Sequence, residues 1–248
     1  MIQLQNIHKS FGNNHVLKGV NMDVDEGKSL VIIGGSGTGK SIILKCILGL
    51  EKPDQGQILL YGKDINRTNR ENFFTRFGML FQGGALFDSL TVWQNVAFKM
   101  LRGKLKKTNA EARNIAIEKL RHVGLKPEVA DKYPAELSGG MQKRVSLARA
   151  IATNPEIIFF DEPNTGLDPI MSGVINDLIR EIVVEMKATA ITITHDMSSV
   201  RAIADKVAML HDGKIRWTGS IEEMEQSDDP YLTQFINGHS HGPIETIR

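Results

Sequence analysis

Apolar and polar positions change period several times along this chain, and each change predicts an element. MIQLQNI, residues 1–7, roughly alternates and reads as a half-buried strand, while SLVII at 29–33 is a short β-rich run. DEGKS between them reads as a turn. Residues 39–50 read as a helix whose buried side is Ile42, Ile43, Ile47, Leu48 and Leu50. EKPDQG breaks it, and QILLYGKDI resumes strand character. Helical spacing returns at 109–123 through Ala112, Ile115, Ala116, Lys119 and Leu120. It returns again from Ser138 to Ala152 and at 170–186, where Ile170, Val174, Ile175, Leu178, Ile182 and Met186 share a side. PEIIFFDEP and TAITITH read as strands, and KVAMLHDGKIRWTG as a hairpin turned at Asp212–Gly213. The last stretch, NGHSHGPIETIR, is turn-rich and irregular. Strands alternating with helices predict an α/β fold with a largely parallel sheet.

Composition narrows the class. The 248 residues, 41% of them hydrophobic, suit one large domain or one domain with an inserted lobe. A net charge of +1 gives no basic bias toward nucleic acid, so no nucleic-acid partner is expected. The single cysteine, Cys46, excludes an internal disulfide framework and reads as a buried structural thiol in IILKCILGL. No apolar run reaches bilayer-spanning length, and the first residues lack a signal-peptide layout. A cytosolic chain, recruited to a membrane only by partners, is the expectation.

The strand at 29–33 leads directly into GGSGTGKS. Gly34, Gly35, Ser36, Gly37, Thr38, Gly39, Lys40 and Ser41 match G-x-x-x-x-G-K-[ST], with a strand before and a helix after. Glycines let backbone N–H groups turn inward toward phosphate oxygens, and the helix N-terminus adds partial positive charge. Lys40 reaches outer phosphates, and Ser41 offers an oxygen to Mg²⁺. IIFFDEP supplies a second anchor: Asp161 faces the magnesium shell, and Glu162, pointing elsewhere by strand alternation, faces an attacking water.

ELSGGMQKRVSLARAIATNPEIIFFDEPNTGLDP, with the phosphate loop upstream, resembles the nucleotide-binding subunit of an ATP-binding cassette (ABC) transporter over nearly the whole chain. The resemblance implies a P-loop NTPase with a RecA-like core, an N-terminal antiparallel β subdomain and an inserted α-helical subdomain. It divides a single domain, 1–248, into 1–82 with 155–226 as core and β subdomain, 83–154 as helical and signature subdomain, and 227–248 as tail. It implies ATP and Mg²⁺ as cofactors and a homodimer, each copy's signature covering the γ-phosphate held by the other. In those terms Phe11 stacks on adenine, and Gln82 touches Mg²⁺ or the water. Ser138, Gly139 and Gly140 form the signature's anion site. Glu162 is the general base, His195 holds the γ-phosphate, and Asp168 crosses the dimer seam. Met141 stands where the signature has Gln, and Asn164 where Thr or Ser is common. Lys143 and Arg144 stay open between phosphate or dimer seam and solvated surface.

Within that family, GMLFQGGALFDSLTVWQNVAF at 78–98, LSGGMQKRVSLARAIA and the ending YLTQFINGHSHGPI resemble the ATPases of maintenance-of-lipid-asymmetry (Mla) phospholipid transporters. The resemblance implies permease partners, an MCE-domain lipid-binding protein and a small regulatory subunit, at the cytoplasmic face of a bacterial inner membrane. An importer of amino acids or another small solute, and a non-transport ABC ATPase, are the alternatives. Phe87, Leu90, Val92, Trp93 and Val96 read either as lobe core or as a groove for a permease helix. KMLRGKLKK at 99–107 reads as a solvated basic face or a headgroup contact. His239 and His241 lack the further ligands a metal needs.

Overall fold

The first strand loses its alternation where its register slips. β1 (Ile2–Phe11) buries Ile2, Leu4 and Ile7, so the beat shifts by one between Leu4 and Ile7. Asn6 sits at the shift with φ +52°, and a Cβ on the facing Gly56 would collide with its carbonyl. That is a bulge, which re-aims the strand without breaking its pairing. The computed structural model describes residues 1–67, 74–102 and 106–245. It falls into two units, Met1–Arg67 with Thr192–Arg248, and Thr68–Ile191.

In the first unit, β1 lies between β2 (Asn14–Val24) and β4 (Gln55–Leu60), both antiparallel to it, with β5 (Lys63–Asp64) on the edge. Tyr61 and Gly62 turn β4 into β5 with φ +50° and +72°, the two-residue turn that suits strand twist. A second group of strands runs β10–β9–β3. β3 (Ser29–Ile33), buried throughout, is parallel to β9 (Lys206–His211), and β10 (Lys214–Gly219) returns antiparallel. The expected turn at Asp212–Gly213 is present, both residues at positive φ. It rests on β2: Lys18 N donates to Gly213 O at 2.8 Å, and the Lys18 ammonium pairs with Asp212.

α1 (Lys40–Ile47) is shorter than its apolar pattern predicts. It stops at Leu48, ahead of Gly49 at φ +65°, and buries Ile43, Leu44, Cys46 and Ile47. Leu50, expected on the buried side, is 60% exposed because it lies past the helix end.

The second unit is built on β6 (Phe77–Leu80), parallel to β7 (Ile157–Asp161), with β8 (Thr189–Ile193) beside β7. α2 (Val92–Val96), α3 (Asn109–His122) and α4 (Gly139–Ile151) all lie in sequence between β6 and β7, as an inserted helical lobe requires. α4 is its axis and packs on β6, α2 and α3. β6 approaches it so closely that a Cβ on Gly78 would collide with Ala150 O. Thr108 and Glu111 close a capping box on α3, and Ser138 caps α4. Val92 and Val96 are core, whereas Phe87 is 43% exposed and stacks on Phe98 at 4.4 Å.

α5 (Pro169–Met186) buries Ser172, Ile175, Asn176, Ile179, Ile182 and Val183. Ile170, expected on that side, is 80% exposed because at 3.6 residues per turn it lies opposite the face that Ser172, Ile175, Ile179 and Val183 bury. α6 (Met197–Ile203), α7 (Ile221–Glu225) and α8 (Pro230–Asn237) complete the first unit, each started by a side-chain cap from Asp196, Ser220 or Asp229. They are short, and their patterns are too brief to stand out in sequence. Residues 238–245 are irregular. Residues 103–105, inside the basic run, and 246–248 at the tail lie outside the described residues.

Candidate functional site

The phosphate loop follows β3 and keeps three glycines at positive φ: Gly34 (+147°), Gly37 (+75°) and Gly39 (+104°). Two of them also touch their surroundings. A Cβ on Gly34 would collide with Leu210 O of β9, and one on Gly39 would stand 2.9 Å from Leu17 and 3.0 Å from Val16 of β2. Both sheets of the unit therefore shape this loop. Lys40, at the first position of α1, is buried, and its ammonium folds back onto Gly34 O and Gly35 O, each at 2.7 Å. Thr38 Oγ1 donates to Gly35 O at 2.9 Å. Ser36, Gly37 and Ser41 are exposed at the rim. The result is a curled backbone with a cation across its mouth, a cradle for phosphate oxygens.

Two more expected residues lie in this unit. Thr194 N donates to Ile32 O at 3.4 Å, so His195 leaves its strand beside the end of β3 from which the loop begins. His195 is exposed, and Asp196 after it caps α6. Burial alone would raise the Asp196 carboxyl, but hydrogen bonds from Ser199 and Ser198 outweigh it and hold the group below its ordinary range. Phe11 is 45% exposed at the tip of the β1–β2 hairpin, with the Lys9 ammonium 5.2 Å from its ring centroid.

The remaining expected residues belong to the second unit. Gln82 is exposed two residues past β6. Asp161 ends β7, half-buried, and Glu162 follows with φ +49°, a left-handed conformation that costs a non-glycine residue about 1 kcal/mol or more. The next turn is short, with Thr165 N on Glu162 O and Leu167 N on Asn164 O. Asp168 caps α5, accepting from Ile170 N and Met171 N at 3.0 Å each. Ser138 caps α4 through Met141 N at 3.3 Å. Ser138 and Gly139 are exposed, and Gly140 packs on Met171.

Neither Lys143 nor Arg144 is a fully solvated surface cation. Lys143 is 5% exposed, and its Nζ has no hydrogen-bond partner among the described residues. Burial lowers its pKa, partly countered by the Glu162 carboxylate. Arg144 donates to Val123 O at 3.3 Å, closing the end of α3.

Sequence reasoning passed over the polar groups that hold these loops. Asn164 Nδ2 donates to Asn176 Oδ1 at 2.7 Å, inside the core, so the departure at 164 has a partner twelve residues on. Asn95 is fully buried and bonds Phe87, Leu90 and Thr91. A lone Asn between the apolar Val92 and Val96 was the available signal.

The donors assigned to the metal, the Ser41 hydroxyl, the Gln82 amide and the Asp161 carboxylate, are all oxygens, as Mg²⁺ prefers. Gly34, Gly37 and Gly39 hold the loop backbone at positive φ, the kind of curl that turns successive N–H groups toward phosphate oxygens. No helix among the described residues is long and apolar enough to cross a membrane.

The family description "ABC transporter" matches residues 17–165, from β2 through the turn after β7. The chain belongs to the ABC transporter family. It is 41% identical to a probable ribonucleotide transport ATP-binding protein, mkl, of Mycobacterium leprae, over 98% of this chain and 70% of that protein. It is 42% identical to the intermembrane phospholipid transport system ATP-binding protein MlaF of Haemophilus influenzae, over 98% of this chain and 93% of that one. The solved dimeric post-hydrolysis state of an ATP-binding cassette bound to ADP and Pi superposes with a TM-score of 0.80. That match covers 89% of this chain and 99% of the other at 31% identity. The ABC resemblance read from the motifs, the α/β P-loop fold and the reading as an ATPase are therefore borne out.

Proposed function

We propose that this chain is the ATP-hydrolysing motor subunit of a membrane ABC transporter that moves phospholipid in an Mla-type system. The observation that carries the ATPase is the glycine cradle whose shape is dictated by β2 and β9 and whose mouth is crossed by Lys40. The triphosphate lies in this cradle, and Lys40 exchanges its loop carbonyls for outer phosphate oxygens. Phe11 stacks on adenine with its exposed ring. Ser41, Gln82 and Asp161 hold Mg²⁺, which supplies charge neutralisation on the phosphates when bound. Glu162 accepts the proton of the water that attacks the γ-phosphorus, His195 orients that phosphoryl group, and ADP leaves. Ser138, Gly139 and Gly140 cover the γ-phosphate of a second copy, with Asp168 at the seam. Gly139 supports this reading: its φ is ordinary, and nothing stands within 4 Å of where its Cβ would be, so nothing in its own described surroundings demands a glycine.

Phospholipid as cargo is supported by the 42% identity, over 98% of this chain, to the relative named as an intermembrane phospholipid transport system ATP-binding protein. Partners are then a second copy, permease subunits, an MCE-domain protein and a small regulatory subunit, at the cytoplasmic face of an inner membrane. The name of the ribonucleotide-transport relative is the one observation favouring another solute.

Glu162→Gln tests the chemistry. ATP binding stays, turnover falls by roughly a hundredfold or more, and an ATP-bound dimer accumulates on gel filtration. Unchanged steady-state turnover removes Glu162 from the mechanism. Purification from solubilised membranes with lipid analysis tests the cargo, and co-purification with a solute permease and no lipid overturns it.

A further inference from the structure

Immediately after Gln82 the backbone runs left-handed for three residues: Gly83 (φ +74°), Gly84 (+82°) and Ala85 (+48°). Two glycines make this turn accessible, but Ala85 does not suit it, and such a residue persists only where its surroundings over-determine it. The surroundings here are one face of α4. Arg149 places the two ends of its guanidinium fork on consecutive carbonyls, Nη1 on Ala85 O at 2.7 Å and Nη2 on Gly84 O at 2.6 Å. Ser146, one helical turn earlier and fully buried, donates to Gly84 O at 3.1 Å. The fit leaves no room, since a Cβ on Gly84 would stand 2.7 Å from Ser146 Oγ. The next stretch is pinned by Asn95, which accepts from Phe87 N at 2.8 Å and donates to Phe87 O and Leu90 O at 3.0 Å. The same helix α4 begins at Ser138, Gly139 and Gly140.

We propose that Arg149 is a positioning residue for Gln82, its fork fastening the left-handed turn 83–85 to the signature helix so that Gln82 and Ser138–Gly140 move as one piece. The guanidinium offers two separate donors at a fixed spacing in one plane, whereas an ammonium on a flexible stem fixes neither spacing nor plane, so lysine is not an equivalent replacement here. A shift of α4 then reaches Gln82 without a separate signal through the exposed part of the loop. The proposal rests on the nucleotide-site reading for the role of Gln82, while the fastening itself is independent of it.

The experiment compares the full-length protein with Arg149→Lys, Gln82→Ala and the double variant, in ATP turnover and in amide hydrogen exchange. In Arg149→Lys, kcat falls roughly tenfold to a hundredfold, as displacement of a positioned group does. KM for ATP stays put, because the phosphate loop is untouched. Amides at 82–87 exchange faster while those of β7 do not. Added to Gln82→Ala, the lysine substitution costs no more than about a further twofold, the sign that both act through one group. Multiplicative losses in the double variant, or faster exchange with kcat unaltered, overturn the proposal. If Arg149→Lys does not fold, Ser146→Ala removes one bond of the same clamp and is held to the same cycle. If wild-type protein shows no ATP turnover, the nucleotide-site reading fails instead, and protection of 82–87 by Arg149 still decides whether the clamp exists.

Discussion

Two helices of this protein begin in glycine-rich turns, and they are built on opposite principles. α1 starts from Gly39 at φ +104°, with no side-chain cap, in a loop where Gly34, Gly37 and Gly39 are required by positive φ, and Gly34 and Gly39 also by the close approach of Leu210, Leu17 and Val16. α4 starts from Ser138, which caps it with its own hydroxyl, and Gly139 after it has ordinary φ and open space around it. The first turn is completed by its own chain, down to the ammonium of Lys40 on its carbonyls. The second is finished as a helix start yet carries a glycine that its own described neighbours do not need. In the proposed dimer, the open space beside Gly139 is what lets the other copy's phosphate come close to this backbone.

Substitution separates the two cases. Gly34→Ala drives a Cβ into Leu210 O at a φ that L-residues avoid, so stability drops by about 3 kcal/mol or more. Thermal unfolding registers this as a fall of about 6–12 °C. An unchanged midpoint would mean the cradle is not shaped by β9. Gly139→Ala leaves stability within about 0.5 kcal/mol of wild type, yet it lowers turnover and ATP-dependent dimerisation by roughly a hundredfold. Full activity in that variant dissolves the contrast between the two turns.

Farther along the same helix, Lys143 carries a buried ammonium without a hydrogen bond among the described residues. Lys143→Met removes a desolvated charge and raises stability by about 1–3 kcal/mol at neutral pH. The sign follows from linkage. Burial holds the folded pKa of Lys143 below its unfolded value, so the penalty is full below the folded pKa and fades as pH rises toward the ordinary lysine range. Denaturant titrations at two pH values check this. The smallest effect expected is on α1. Burial pushes the Cys46 thiol up to about 11, so iodoacetamide leaves it unmodified in folded protein at pH 8 and labels it once the chain is unfolded.

The phosphate loop and the acid pair were legible because their chemistry is local: a fixed spacing of Gly, Lys and Ser, and two acids ending an apolar strand. The hairpin at Asp212–Gly213 was legible for the same reason, since two residues decide it. Leu50 was misplaced because apolar periodicity does not mark where a helix stops, and Ile170 because the face that packing buries is the one through the polar Ser172 and Asn176. Lys143, Asn95 and Arg149 were missed as structural elements because a polar residue's partner lies outside any window of sequence. Arg149 answers carbonyls some sixty residues away.

The sequence by itself determined the family, the glycine loop and the order of the proposed site residues, since each follows from residue type and short-range spacing. Only the tertiary structure decided which glycines are obligatory, which cations are buried and what fastens the loop after Gln82. Those depend on packing between elements distant in the chain, where the close approach of one backbone to another leaves no trace in either segment alone.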